Sequence, residues 1–358
     1  MKTAHSIYFA DASHMSEVSD GSIDLVVTSP PYPMIEMWDD LFRKMAPDID
    51  KCLSTQDGSG AFEAMHRQLD PVWRECFRVL RPGGLACINI GDATRTIDGH
   101  FALYTNHARI LTAARDIGFT SLPCVIWRKQ TNAPNRFMGS GMLPAGAYVT
   151  LEHEYILILR KNGKRDFLSD EEKRQRRESA IFWEERNHWF SDVWFDIKGA
   201  GQALPDAQER QRSAAFPFEL PYRLINMFSV RSDHVLDPFM GTGTTMAAAM
   251  AAGRNSTGYD TDPRLIAAVQ KSAHSAVLPT NQPAARRLAR HQAFVKQRTA
   301  EGKPLKYTNE PYGFPVVTRQ EICLQLDIPA HLVQTGDTRF EVSHEMARIP
   351  FKYSLFDN

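Results

Sequence analysis

Two short segments concentrate the residues whose types and spacing could do chemistry. In Asp24-Leu-Val-Val-Thr-Ser-Pro-Pro-Tyr32 a strand-like apolar run empties into two prolines and an aromatic. Consecutive prolines fix two φ angles and remove two N–H groups, so the carbonyls there project in set directions with little local competition. Ser29 adds a hydroxyl and Tyr32 a flat ring. Together Ser29, Pro30, Pro31 and Tyr32 suit a planar base carrying an amino group.

The second segment, His234-Val-Leu-Asp-Pro-Phe-Met-Gly-Thr-Gly-Thr-Thr245, has the form of a strand, an acidic residue, a glycine-rich turn and a helix. Gly241 and Gly243 let the backbone turn tightly beneath a ligand at the carboxyl end of a strand, where open α/β sheets bind nucleotides. A phosphate loop needs Lys after its last glycine, and Thr244 stands there. A dinucleotide fingerprint needs a third glycine, and Met246 holds that position. What remains is an adenosyl cofactor without phosphates. Asp237 fits it, because a carboxylate at the turn suits a cationic amino-acid group and repels a pyrophosphate. Asp260, at the end of the next strand, is placed to take ribose hydroxyls, with Asp262 the second choice.

Elements of the right kind surround both segments. Apolar β-branched runs predict strands at 7–9, 23–27, 85–90, 124–127, 152–159, 234–236 and 256–259, and helix-length stretches lie at 70–80, 104–117, 220–228, 244–252 and 264–276. That alternation implies a parallel sheet covered on both faces. From 160 to 215 the rhythm gives way to polar, charged sequence bearing Trp183, Trp189 and Trp194, read as an inserted module with those tryptophans as its small core. The expected organisation is a catalytic half at 1–159, a target-recognition module at 160–215, a cofactor-binding half at 216–277 and a C-terminal extension at 278–358. The basic run Arg286–Lys306 offers the extension a route to phosphate contacts.

Composition bounds the rest. With 358 residues, 43% of them hydrophobic, the chain can bury a large core, and its apolar runs are too short to span a membrane. Lys plus Arg equals Asp plus Glu at 42 each, so any nucleic-acid face must be local. Five cysteines, none spaced as CxxC, argue against a disulfide framework or a zinc site, and no metal is assigned. The start lacks the apolar core of a signal peptide, which makes the cytoplasm the expected location.

Taken together, the two segments resemble the amino-methylating DNA methyltransferases, which modify the exocyclic nitrogen of cytosine (N4) or adenine (N6) using S-adenosylmethionine. That family's [D/N/S]-PP-[Y/F/W] motif stands here as Ser29-Pro30-Pro31-Tyr32, and its cofactor motif as Asp237 to Thr245. Ala10-Asp11 resembles the acidic contact to the cofactor adenine, and Phe216-Pro217-Phe218 the lead into the cofactor motif. Trp127-Arg-Lys, Asn132 to Arg136, and Leu151-Glu-His-Glu-Tyr155 resemble the pocket lining. Catalytic motif first and cofactor motif last is the order of the family's β group, and the resemblance covers about residues 6 to 275.

It implies a Rossmann-like, doubly wound, mostly parallel seven-stranded α/β sheet with an inserted recognition module. It also implies S-adenosylmethionine contacts from Asp11, Thr28, Phe216, Pro217, Phe218, Asp237, Pro238, Phe239, Gly241, Gly243, Thr244 and Asp260. Ser at the first catalytic position is typical of cytosine-N4 members and favours N4 over N6. Hydrogen bonds from the amine to the Ser29 hydroxyl and the Pro30 carbonyl would free its lone pair, and Tyr32 would stack on a base flipped out of the duplex. Arg128, Lys129 and Arg136 are the candidate DNA contacts beside the pocket. Double-stranded DNA is the expected partner, a cognate restriction endonuclease system is a further candidate, and a homodimer is compatible with the sequence. C5 chemistry is disfavoured, since Cys124 lies in a predicted strand. An RNA methyltransferase and a non-catalytic DNA-binding protein on the same fold are the competing readings.

Overall fold

A computed structural model describes residues 1–129, 138–199, 216–278 and 283–348. Its centre is a mixed sheet of strands β1 (Lys2–Tyr8), β2 (Ile23–Thr28), β3 (Leu80–Ile90), β4 (Phe119–Arg128), β5 (His153–Lys161), β6 (Val193–Trp194), β7 (His234–Asp237), β8 (Asn255–Tyr259), β9 (Asp327–Gly336) and β10 (Arg339–Met346). They lie in the order β6-β4-β5-β3-β2-β7-β8-β1-β10-β9. The expected seven strands are the middle of this sheet, from β4 to β1. Within them β3, β2, β7, β8 and β1 run parallel, and β5 is reversed between β3 and β4. Three strands of this sheet were not expected from the sequence. Two-residue β6 extends one edge, and the hairpin β9–β10 pairs antiparallel with β1 at the other.

Alternation along each strand explains burial on both faces. Ala86, Ile88 and Ile90 of β3 and Leu157 and Leu159 of β5 join one apolar cluster, while Cys87, Ile156 and Ile158 join the other. The first face is covered by a 22-residue helix, Gly58–Val79, and by Asn106–Ile117; the second by Glu219–Phe228 and Thr244–Ala252. The long helix begins well before the expected start at residue 70. Pro71 sits inside it. One backbone bond is lost there, but Ala61, Ala64, Met65, Leu69, Val72, Trp73, Cys76 and Val79 recur at helical spacing and bury the whole length.

Among the described residues 160–199, the three tryptophans expected to form a small core of their own pack elsewhere. Trp194 pairs with Trp127 in the main sheet and joins the second cluster. Trp189 packs beside the Arg287 guanidinium, 5.0 Å from ring centre, and Trp183 leans on Phe294. Phe182 enters a cluster with Leu288, Phe314 and Leu326 of the C-terminal extension, and Arg287 is clamped by both oxygens of Glu185 at 2.7 Å. Insertion and extension therefore share one apolar cluster.

Candidate active site

Parallel strands place their carboxyl ends on one rim, and both chemical segments leave the sheet there. β2 and β7 are direct neighbours, with Leu25 opposite Val235 and Val26 opposite Leu236. The loops after them start side by side although more than two hundred positions separate them in the chain. A hydrogen bond joins the two: the Thr28 hydroxyl donates to Asp237 Oδ1 at 2.6 Å. The Thr245 hydroxyl donates to Oδ2 at 2.6 Å, and the Phe239 N–H to Oδ1 at 3.0 Å. Asp237 is 4% exposed, and burial raises its carboxyl from 3.8 to about 6 against the lowering effect of those donors. The sequence reading gave Asp237 to the cofactor alone. Here it also locks the cofactor turn to the catalytic strand, and Thr245 had no assigned part.

Asp237 leads into the glycine turn. Gly241 has φ +55° and nothing within 4 Å of where a side chain would begin, leaving an open cradle. Gly243, at φ +83°, caps the following helix against Met246 and Val269. The Gly241 N–H donates to Asp260 Oδ2 at 2.9 Å, and the Asp262 N–H to Oδ1 at 2.9 Å, so Asp260 is fixed just past β8 with its second lone pairs available. Burial raises the Asp260 carboxyl above its ordinary range. Asp262 is turned to the Arg264 backbone and guanidinium and caps a short helix. Asp11 is exposed past the end of β1, on the same rim. Pro238 is buried and Thr244 opens the helix after the glycines; Phe216 is buried beside Pro217, and Phe218 stacks on Tyr222 at 5.6 Å. An open glycine cradle with a carboxylate on either side suits an uncharged ribose and a cationic amino acid, so these residues fit S-adenosylmethionine.

The catalytic loop is held by a polar network. Pro30, Pro31 and Tyr32 are buried and Ser29 is half-buried. The Ser29 hydroxyl donates to Tyr32 Oη at 3.1 Å, and Tyr32 Oη donates to Glu154 Oε2 at 2.9 Å. Asn89 Nδ2 donates to both Tyr32 Oη, at 2.8 Å, and Glu154 Oε2, at 2.7 Å. Burial, reinforced by the Glu154 charge, pushes the Tyr32 phenol well above its ordinary value, so it stays a neutral hydroxyl. Tyr32 is 8% exposed, with Gly91 against the ring edge, where a side chain would begin 3.1 Å from Cε2. The sequence reading used only the ring; the structure ties the hydroxyl to Ser29, Asn89 and Glu154. Asn106 Nδ2 donates to the carbonyls of Pro33 at 3.0 Å and Gly91 at 2.9 Å, tying the loop to the end of β3.

Two of the candidate DNA contacts, Lys129 and Arg128, also hold carboxylates. Lys129 Nζ donates to Glu154 Oε1 at 2.8 Å, which joins it to the Ser29–Tyr32–Glu154 network, and Arg128 pairs with Glu152 at 3.0 Å. Arg136 lies outside the described residues. Helix Pro283–Ala300, which carries most of the basic run, packs toward the end of the sheet remote from the rim. Arg165 bridges Asp24 and Asp233, which mark the rim-distant ends of β2 and β7, and Arg231 pairs there with Glu178 and with Asp327 at 2.6 Å. Helix Pro283–Ala300 packs through Leu288 into the same quarter, and Arg287 reaches Asn226 at the end of a helix running away from the rim. The hairpin Ala93–Ile97/His100–Tyr104 and the segment from 138 to 152 also stand on the rim, joined by Phe101 stacked on Tyr148 at 4.4 Å.

A doubly wound sheet with a catalytic Ser-Pro-Pro-Tyr loop beside a cofactor-binding glycine turn defines an amino-methyltransferase. The DNA methylase family model, of N6/N4 type, matches residues 23–271, and the chain belongs to that family. It is 50% identical over 346 residues to the Type II methyltransferase M.MthZI of Methanothermobacter thermautotrophicus, covering 96% of each chain. It is 49% identical over 274 residues to M.MjaI of Methanocaldococcus jannaschii, covering 74% of this chain and 89% of that one. A DNA modification methylase of Thermus thermophilus, solved in complex with S-adenosyl-L-methionine, superposes with TM-score 0.60 at 32% identity, over 77% of this chain and 95% of that one. The cytosine-N4-specific PvuII DNA methyltransferase shares the fold at TM-score 0.55 and 18% identity, over 75% of this chain and 86% of that one. S-adenosylmethionine is the methyl donor of this family. Among the described residues no helix is long and apolar enough to cross a membrane.

Proposed function

We propose that the protein is a site-specific DNA methyltransferase of Type II that methylates cytosine N4 in double-stranded DNA, the base being flipped into the Ser29 loop. The observation that carries the reading is the junction of the two motifs. Thr28 binds Asp237 while the next residue, Ser29, presents a hydroxyl where an acidic residue would otherwise stand. An exocyclic amine is a poor nucleophile because its lone pair is delocalised into the ring. Accepting bonds at Ser29 and the Pro30 carbonyl draw the nitrogen toward tetrahedral geometry. Bound S-adenosylmethionine supplies an electrophilic methyl on a cationic sulfur, and the Asp237 carboxylate with the Gly241 cradle holds its amino-acid end. Flipping costs a few kcal/mol of stacking and pairing, so contacts around the rim must offset it. The hairpin at 93–104 and the segment at 138–152 are placed to make them. In a host, methylation of this kind would shield a site from a cognate restriction endonuclease.

The relatives' Type II character supports site specificity, and Ser29 supports cytosine. Transfer of labelled methyl from S-adenosylmethionine to duplex DNA, followed by nucleoside separation, tests both. Label in N4-methylcytosine is expected. Label in N6-methyladenine would overturn the base assignment, and transfer to RNA but not DNA would overturn the substrate class.

A further inference from the structure

We infer that Glu154 is the terminal proton acceptor of the methyl transfer, reached from the reacting amine through the Ser29 and Tyr32 hydroxyls. The inference rests on the reading of an exocyclic amine as methyl acceptor. Transfer leaves a proton to dispose of: the nitrogen lone pair forms the new N–C bond, the electron pair of the broken S–C bond stays on sulfur, and the nitrogen is left cationic with two hydrogens. Such a cation is a strong acid, because losing a proton restores conjugation with the ring. A weak base therefore suffices, but one must be in reach. The tetrapeptide supplies none, since Ser29 stands at the position where an acidic residue would serve.

The structure provides a continuous path. Ser29 Oγ donates to Tyr32 Oη at 3.1 Å, and Tyr32 Oη donates to Glu154 Oε2 at 2.9 Å, each hydroxyl already oriented toward the carboxylate. One hydrogen of the methylated amine passes to Ser29 Oγ as the Ser29 hydrogen moves to Tyr32 and the Tyr32 hydrogen moves to Glu154. Both hydroxyls are restored, and one proton has travelled from nitrogen to carboxylate. Glu154 is 8% exposed, and burying a lone carboxylate costs several kcal/mol unless it is paired. Lys129 pairs with the other oxygen at 2.8 Å, and Asn89 Nδ2 steadies the relay oxygen at 2.7 Å. Lys129 is 44% exposed on its side chain, so the acceptor borders solvent, where the proton can leave between turnovers. Tyr32 thus acts as a carrier rather than a base, as its neutral state requires.

The test uses the full-length protein carrying Glu154→Gln, Tyr32→Phe, the double substitution, and Glu154→Asp. Single-turnover transfer to duplex DNA is measured together with calorimetric cofactor binding and melting temperature. Each of the first two single changes should slow transfer by about 100-fold, a usual size for proton-transfer catalysis, with cofactor and DNA affinities within about twofold of wild type. The double variant should be no slower than the slower single, because both break one path. Glu154→Asp, which retains a carboxylate, should recover at least about tenfold of the loss. Wild-type speed in Glu154→Gln, multiplying losses in the double variant, or no recovery in Glu154→Asp would each overturn the relay. The wild-type product identifies the base, while the ratio between variants tests the relay on whichever amine is methylated.

Discussion

We propose for Asp237 one duty in the fold and one toward the cofactor, whose energies can be separated. It is buried, yet its two oxygens receive Thr28, Thr245 and a backbone N–H, which favour the ionised form without fully offsetting burial. Its folded-state value, about 6, lies above the 3.8 of an exposed carboxyl. The folded state therefore binds the proton more tightly. The stability this group contributes is complete below about pH 4 and is lost as pH rises through about 6, by about 3 kcal/mol. Asp237→Asn, with no charge to bury, should flatten that part of the pH profile in urea unfolding. It should also weaken cofactor binding by at least about tenfold in calorimetry, since a carboxylate facing an ammonium is lost. An unchanged cofactor affinity would assign Asp237 to the fold alone. In the wild type, cofactor affinity should fall as pH drops below about 6.

At the scale of elements, the glycine turn divides its labour between binding and folding. Gly241 faces open space, so Gly241→Ala should cost the fold about 1 kcal/mol for its positive φ and chiefly fill the cofactor cradle. Gly243 has no such room, because a side chain would meet Met246 and Val269 at 3.3 Å. Gly243→Ala should lower the melting temperature by several degrees more than Gly241→Ala. Thermal unfolding with and without S-adenosylmethionine separates the two, since only the Gly241 variant should lose most of its cofactor-induced shift. These positions were legible in sequence because turn chemistry is local. Asn89 and Asn106 were not, and Glu154 was legible only as part of the pocket-lining run 151–155, since the partners of each are brought together only by the fold. One clue existed for Asn89: it is a polar residue inside the apolar run Leu-Ala-Cys-Ile-Asn-Ile, in a strand whose two faces are both buried. A polar side chain there must find a partner or a task.

Across the whole molecule, the seven-strand sheet and its motif order could be read from alternation and turn residues, but not what caps its two ends. Hairpin β9–β10 joins through backbone pairing with β1, which leaves no motif, and Trp183 and Trp189 of the insertion found partners in a segment about a hundred residues later. Local composition made the basic run look like a phosphate contact. Its helix, with exposed Arg286, Arg290 and Lys296, packs toward the end of the sheet remote from the rim. Replacing those three with Gln should leave the KM for short duplex DNA within about twofold and its salt dependence unchanged. A clear drop in the salt slope would restore the extension to the DNA interface.

The central claim is geometric: the Ser29 loop and the cofactor turn share one reaction space because β2 and β7 are parallel neighbours. It is tested most directly by a structure of the protein with S-adenosylhomocysteine and duplex DNA carrying its target site. The target amine of an extruded base is expected within hydrogen-bond reach of Ser29 Oγ and the Pro30 carbonyl, on the sulfur side of the cofactor. An amine held away from Ser29, or a duplex lying along helix Pro283–Ala300, would contradict it.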